Sequence, residues 1–175
     1  VEGRLGLEEP ETYEVLNRGV SGDRIVDIYA RMKVDAINLK PDVLSILVGV
    51  NDVWHELEIG NGVSTAKYEK IYTMLLEELR QALPDTRIIL IEPFVLKGIG
   101  TAKYFVPCKE GVTEKAKVVR KLAEKFGLDF IPLQADLDEL EKKASEGYWL
   151  MDGVHPTIHF HKFIADKWIR TLRGE

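Results

Sequence analysis

Long apolar runs separated by amphipathic stretches constrain this chain more than any other feature. Asp42 to Val50 reads DVLSILVGV, Arg87 to Phe94 reads RIILIEPF, and Asp129 to Leu133 reads DFIPL. Runs of this length, rich in β-branched residues, suit parallel strands buried on both faces. A shorter β-type run, Tyr13 to Leu16, precedes them. Between the runs, apolar residues recur at helical period. Ile25, Ile28, Tyr29, Met32 and Ala36 share one stripe, with Ser21 as the expected N-cap and Asp23 in the first turn. Tyr68, Ile71, Tyr72, Leu75 and Leu79 share a second, with Pro84 just beyond its end. Ala116, Val119, Leu122, Ala123 and Phe126 share a third, and Gly127 is its expected stop. A last helix from about Thr157 to Leu172 turns Phe160, Ile164 and Trp168 inward. Strand–helix alternation of this kind predicts an α/β fold: a doubly wound, three-layer α/β/α sandwich on a parallel sheet with right-handed crossovers.

A length of 175 residues fits one domain spanning 1–175, with enough chain for a sizeable core. A formal net charge of -5 argues against a nucleic-acid partner, which selects for a basic patch. The densest basic cluster, Lys115 to Lys125, carries Glu124 and is preceded by Glu114, and is expected to be a solvated helix face. The lone Cys108 excludes an internal disulfide and a cysteine-rich metal site. It fits a reducing compartment, and a cytoplasmic address is the favoured expectation. No apolar run approaches the roughly 20 residues of a membrane span.

In open α/β sheets ligands bind beyond the carboxyl ends of the strands. Asn17-Arg18-Gly19-Val20-Ser21-Gly22 follows the first β-type run, and Gly49-Val50-Asn51-Asp52 follows the second. Asp152-Gly153-Val154-His155-Pro156 precedes the last helix and can reach the same rim. A carboxylate three residues before a histidine can accept from Nδ1 and leave Nε2 free as a base. Gly19 can present a backbone N–H without a side chain in the way, and Asn51 can present a neutral amide NH₂. Two such donors suit the oxyanion that develops in acyl transfer. Trp54 is placed either to line a pocket or to pack in the core. Asp52 is read as structural, bonding loop amides. Ser21 is read as a cap and not a nucleophile, and His55, His159 and His161 as surface histidines without metal-ligand spacing.

NRGVSGDR (17–24), GVND (49–52) and DGVHPT (152–157) resemble the second, third and fifth sequence blocks of the SGNH (GDSL) hydrolases, in order, spacing and strand context. The resemblance covers essentially the whole chain, and the three blocks together are specific. It implies a flavodoxin-like sandwich and the cleavage of carboxylic esters with neither metal nor cofactor. It implies His155 as general base, Asp152 as its orienter, and Gly19 and Asn51 as oxyanion donors. The substrate implied is a small-molecule ester, and the small domain without an obvious lid insertion favours short acyl or acetyl groups.

The sequence departs from the family pattern twice. The Gly-Asp-Ser block that carries the nucleophile at the end of the family's first strand is absent from 1–175. The opening VEGRLGLEEPE reads as the late part of the helix after that strand, so an N-terminally truncated domain is expected. Exposed strand edges then favour association, and a homo-oligomer built by strand exchange is the corresponding expectation. The second departure is Phe160, where the family commonly has a small residue. A non-catalytic binding domain and an acyltransferase are the rival readings.

Overall fold

The computed structural model describes all residues, Val1–Glu175. Three strands, β1 (Val43–Leu47), β2 (Arg87–Ile91) and β3 (Asp129–Ile131), form one parallel sheet in the order β1-β2-β3. Each apolar run is therefore a strand, but each stops earlier than its apolar stretch does. In DVLSILVGV the ladder ends at Leu47, because the chain must turn at Gly49 to begin a helix.

Helices cover both faces. α2 (Ile25–Asp35), α4 (Thr65–Ala82) and α5 (Phe105–Phe126) pack on one side, where Ile88 and Leu90 of β2 meet Tyr68, Leu75, Leu76, Val119 and Leu122. α6 (Gln134–Glu141) and α7 (Ile158–Arg173) pack on the other, where Ile89 and Ile91 meet Leu137 and Phe160. Alternate β2 residues thus enter opposite cores, as the two-residue period of a strand requires. α1 (Glu2–Glu8) buries Leu5 and ties itself to α7 through Arg4–Asp166 and Glu8–Arg173 ion pairs. α3 (Val50–Ile59) carries the Asn51 segment away from β1. No helix is long and apolar enough to cross a membrane.

Three expectations need correction. Tyr13 to Leu16 is not a strand: residues 13–20 form no regular structure, and Tyr13, Leu16 and Val20 are exposed. A β-type run is stabilised by cross-strand pairing, and this one lies beside no hydrogen-bonding strand. Ser21 does not cap α2, which starts three residues later with Arg24 at the N-cap; the Asp27 carboxylate accepts the Arg24 N–H. The third helix begins at Phe105, one 3₁₀ turn after the loop that follows β2, and carries the expected stripe to Phe126. Lys115 does not lie on a solvated face: it is 2% exposed, although Lys117 and Lys121 of the same cluster are exposed. Gly127 ends α5 in the left-handed conformation, as expected. Phe160 is fully buried, edge-to-face against Phe94 at 5.1 Å between ring centroids, so it packs the core.

Candidate active site

The loop before α7 is built around its own carboxylate. Asp152 Oδ1 accepts the backbone N–H groups of Val154 (3.0 Å) and His155 (2.9 Å), and Oδ2 lies 2.8 Å from His155 Nδ1. The loop closes on itself: Met151 N–H donates to the His155 carbonyl, and Thr157 donates to the carbonyls of Tyr148 and Trp149. Burial pushes the Asp152 carboxyl up, but the hydrogen bonds from the His155 amide and ring and from the Val154 amide outweigh it. Its pKa therefore stands below the ordinary 3.8. The His155 ring is half exposed, and Nε2 has no protein partner. An imidazole held by Nδ1 with Nε2 open is equipped to accept a proton.

A second loop, residues 96–101, supports the first, and the sequence analysis did not find it. Leu96 N–H donates to the Gly153 carbonyl and Gly100 N–H to the Asp152 carbonyl, both at 2.9 Å. Buried Thr101 Oγ1 accepts the Gly98 N–H and donates to the Leu96 carbonyl. A methyl on Gly98 would lie 2.4 Å from the Asp152 carbonyl carbon, so this approach requires glycine on steric grounds alone. The spacing Gly98-Ile99-Gly100 was the available signal, but it names no partner.

α3 supplies the third side. Gly49 takes φ +139, and a Cβ there would sit 3.1 Å from Pro93 and from the Tyr68 hydroxyl. Glycine at this position lets β1 turn sharply into α3, which places Asn51 and Asp52 in the helix's first turn. Asn51 Nδ2 donates to the Asp23 carbonyl at 3.1 Å, using one of its two N–H groups. Trp54, one turn along the same helix face, brings its ring to 6.2 Å from that of His155, centroid to centroid. Its indole N–H is buried without a partner.

The structure thus brings Asp152, His155 and Trp54 together and anchors Asn51 to the 17–24 segment. Gly19 lies in the exposed 17–22 loop, and its N–H donates to Asn17 Oδ1 at 3.0 Å. Asp52 is 1% exposed and accepts the Ile25 N–H at the start of α2, a structural contact of the kind its position suggested. Burial drives the Asp52 carboxyl up to about 6, with the Ile25 amide and Lys115 opposing the rise. His159 stacks on Tyr148 at 4.4 Å.

A strand-end site of this kind, on this sandwich, defines an acylhydrolase-type α/β protein. The model of the GDSL-like lipase/acylhydrolase family matches residues 4–163, and the chain belongs to that family of ester-cleaving enzymes. The chain is 30% identical over 180 residues to an acetylxylan esterase from Geobacillus stearothermophilus, covering 100% of itself and 80% of that protein. The solved structure of that esterase superposes with a TM-score of 0.84 at 30% identity, over 97% of this chain and 77% of the other. A second acetyl xylan esterase, AlAXEase, gives a TM-score of 0.84 at 28% identity, over 97% and 87%. A GDSL-like lipase candidate from Parabacteroides merdae gives 0.83 at 36%, over 97% and 75%. Two further solved forms of the Geobacillus enzyme are catalytic mutants, one at a serine and one at an aspartate.

Proposed function

We propose that the protein hydrolyses carboxylic esters, acetyl esters of sugars foremost, with His155 as general base and Asp152 as its orienter. The observation that carries this reading is the 2.8 Å contact of His155 Nδ1 with a carboxylate whose other oxygen is held by two amides of the same loop. That carboxylate cannot swing away without losing both amide bonds, so the imidazole keeps one tautomer with Nε2 outward. The acetyl preference is supported by the two acetylxylan esterases that the chain resembles.

The nucleophile is taken from a Gly-Asp-Ser block, which 1–175 does not contain. Its four serines serve elsewhere: Ser21 in a loop, Ser45 in β1, Ser64 at the α4 cap and Ser145 in a turn. In the reaction the serine hydroxyl attacks the ester carbonyl and its proton passes to His155 Nε2. The free N–H of Asn51 and the Gly19 N–H, once turned from Asn17, hold the oxyanion. Collapse breaks the C–O bond, and the proton on His155 goes to the leaving alcohol. Water, deprotonated by His155, then releases acetate and restores the serine.

The test is hydrolysis of p-nitrophenyl acetate and of acetylated xylo-oligosaccharides by the protein carrying the Gly-Asp-Ser block and by its His155→Ala variant. Equal rates in the two would refute the base assignment.

A further inference from the structure

Asn51 and Asp52 are adjacent on α3, and together they grip both ends of the three-residue entry to α2. Asn51 holds the Asp23 carbonyl at 3.1 Å, and the Asp52 carboxylate accepts the Ile25 N–H at 3.1 and 3.3 Å. The two bonds therefore bear on the same three residues, Asp23 to Ile25. A carboxylate 1% exposed is costly to maintain unless a cation compensates it.

Lys115 of α5 provides that cation. It is 2% exposed, and lysine is almost never fully buried unless paired. Lys115 and Asp52 line one cleft of about 290 Å³ between α3, α4 and α5. The Lys115 ammonium donates to Thr65 Oγ1 at 2.9 Å and lies 5.3 Å from the centre of the Tyr68 ring. Each charge opposes the other's burial: Lys115 lowers the Asp52 carboxyl and Asp52 raises the Lys115 ammonium, though burial prevails in both. The other groups facing Asp52 are Arg24 from α2, Glu56 from its own helix, and Tyr68 and Tyr72 from α4. Arg24 is already committed to Asp27 and Asn61, which leaves Lys115 as the buried cation available to Asp52.

We propose that Lys115 is a positioning residue of the acyl site: across this cleft it keeps Asp52 a carboxylate, and Asp52 with Asn51 fixes the α2 entry so that one Asn51 N–H stays directed at substrate. This rests on the ester-hydrolase reading above. Lys115 itself touches no reacting atom.

The clamp is tested in residues 1–175 by following the Ile25 backbone amide and the Asn51 side-chain amide by NMR from pH 4 to pH 8. Both signals should titrate together with one midpoint in the wild type, and in Lys115→Met that midpoint should rise by about one pH unit or more. Separate midpoints, or an unmoved midpoint in a folded variant, would overturn the clamp. If Lys115→Met does not fold, Lys115→Gln is read by the same titration, and an unmoved midpoint there overturns the proposal. In the protein bearing the Gly-Asp-Ser block, Lys115→Met should lower kcat about tenfold with KM within about twofold, and should move the acid limb of the kcat profile upward. A lower melting temperature with an unmoved acid limb would show a merely structural lysine and overturn the proposal. A wild type that cleaves no ester would refute the hydrolase reading, and the NMR titration would still decide the clamp.

Discussion

The Asp152 carboxylate holds His155 two ways, one oxygen accepting the His155 backbone N–H and the other meeting the ring at Nδ1, and the first oxygen also takes the Val154 N–H. The group that orients the imidazole thus also folds the loop carrying it. Asp152→Asn keeps an acceptor for the two amides but removes the charge and can reverse the tautomer. In the protein bearing the Gly-Asp-Ser block, kcat for p-nitrophenyl acetate is expected to fall by about 10⁴ with KM little changed. Asp152→Ala should in addition lower the melting temperature, because the Val154 and His155 amides lose their partner. Comparing the two variants by steady-state kinetics and thermal melts separates the orienting role from the folding role.

Gly98 faces the Asp152 backbone so closely that a Cβ would sit 2.4 Å from its carbonyl carbon. Gly98→Ala must push the 96–101 loop and the Asp152–His155 loop apart. A cost of about 1–3 kcal/mol is expected, with loss of activity. Gly3→Ala is the control, since nothing lies within 4 Å of a Cβ there and Gly3 is inside α1. It should be neutral or stabilising by about 0.5–1 kcal/mol. Urea unfolding of the two variants checks both.

What could be read from the sequence follows the range of the interaction. β2 was legible because Ile88 to Ile91 are each sealed by one core or the other, so the run is apolar from 88 to 91. The Asp152–His155 pair was legible because its geometry is set within four residues. Tyr13 to Leu16 misled because β propensity expresses a fit to a neighbouring strand, and no strand pairs with this segment. Lys115 misled because a lysine in a charged amphipathic stretch gives no sign of facing a carboxylate 63 positions earlier in the chain. The 96–101 cradle was illegible for the same reason, since its hydrogen bonds run to the backbone of a distant loop. α6 buries only Leu137 and carries too narrow an apolar stripe to announce itself.

Thr101 is 2% exposed, and its hydroxyl joins two backbone groups of the cradle, accepting from Gly98 at 2.9 Å and donating to Leu96 at 2.8 Å. Thr101→Val keeps the volume and strands a buried N–H. The expected cost is about 1–3 kcal/mol, and kcat should fall because Leu96 and Gly100 hold the Gly153 and Asp152 carbonyls. Thr101→Ser, which keeps the hydroxyl, should recover most of both losses. Denaturant melts and ester kinetics on the two variants provide the measurement.

Asp52 should make stability fall as pH rises. Its folded pKa of about 6 exceeds the ordinary 3.8, so between these values the folded chain binds a proton that the unfolded chain has released. Folding is therefore favoured at the acid end of the window, and the advantage is lost as the pH climbs through about 6. Beyond that both states are ionised and the slope vanishes. Linkage puts the change at about 2 kcal/mol between pH 4 and pH 7. Other groups also titrate there, so the clean quantity is the difference in unfolding free energy between the wild type and Asp52→Asn. That difference should shift by about 2 kcal/mol against the wild type from pH 4 to pH 7. A difference that stays flat across the window would mean that Lys115 and the Ile25 amide hold the carboxyl near its ordinary value despite its burial.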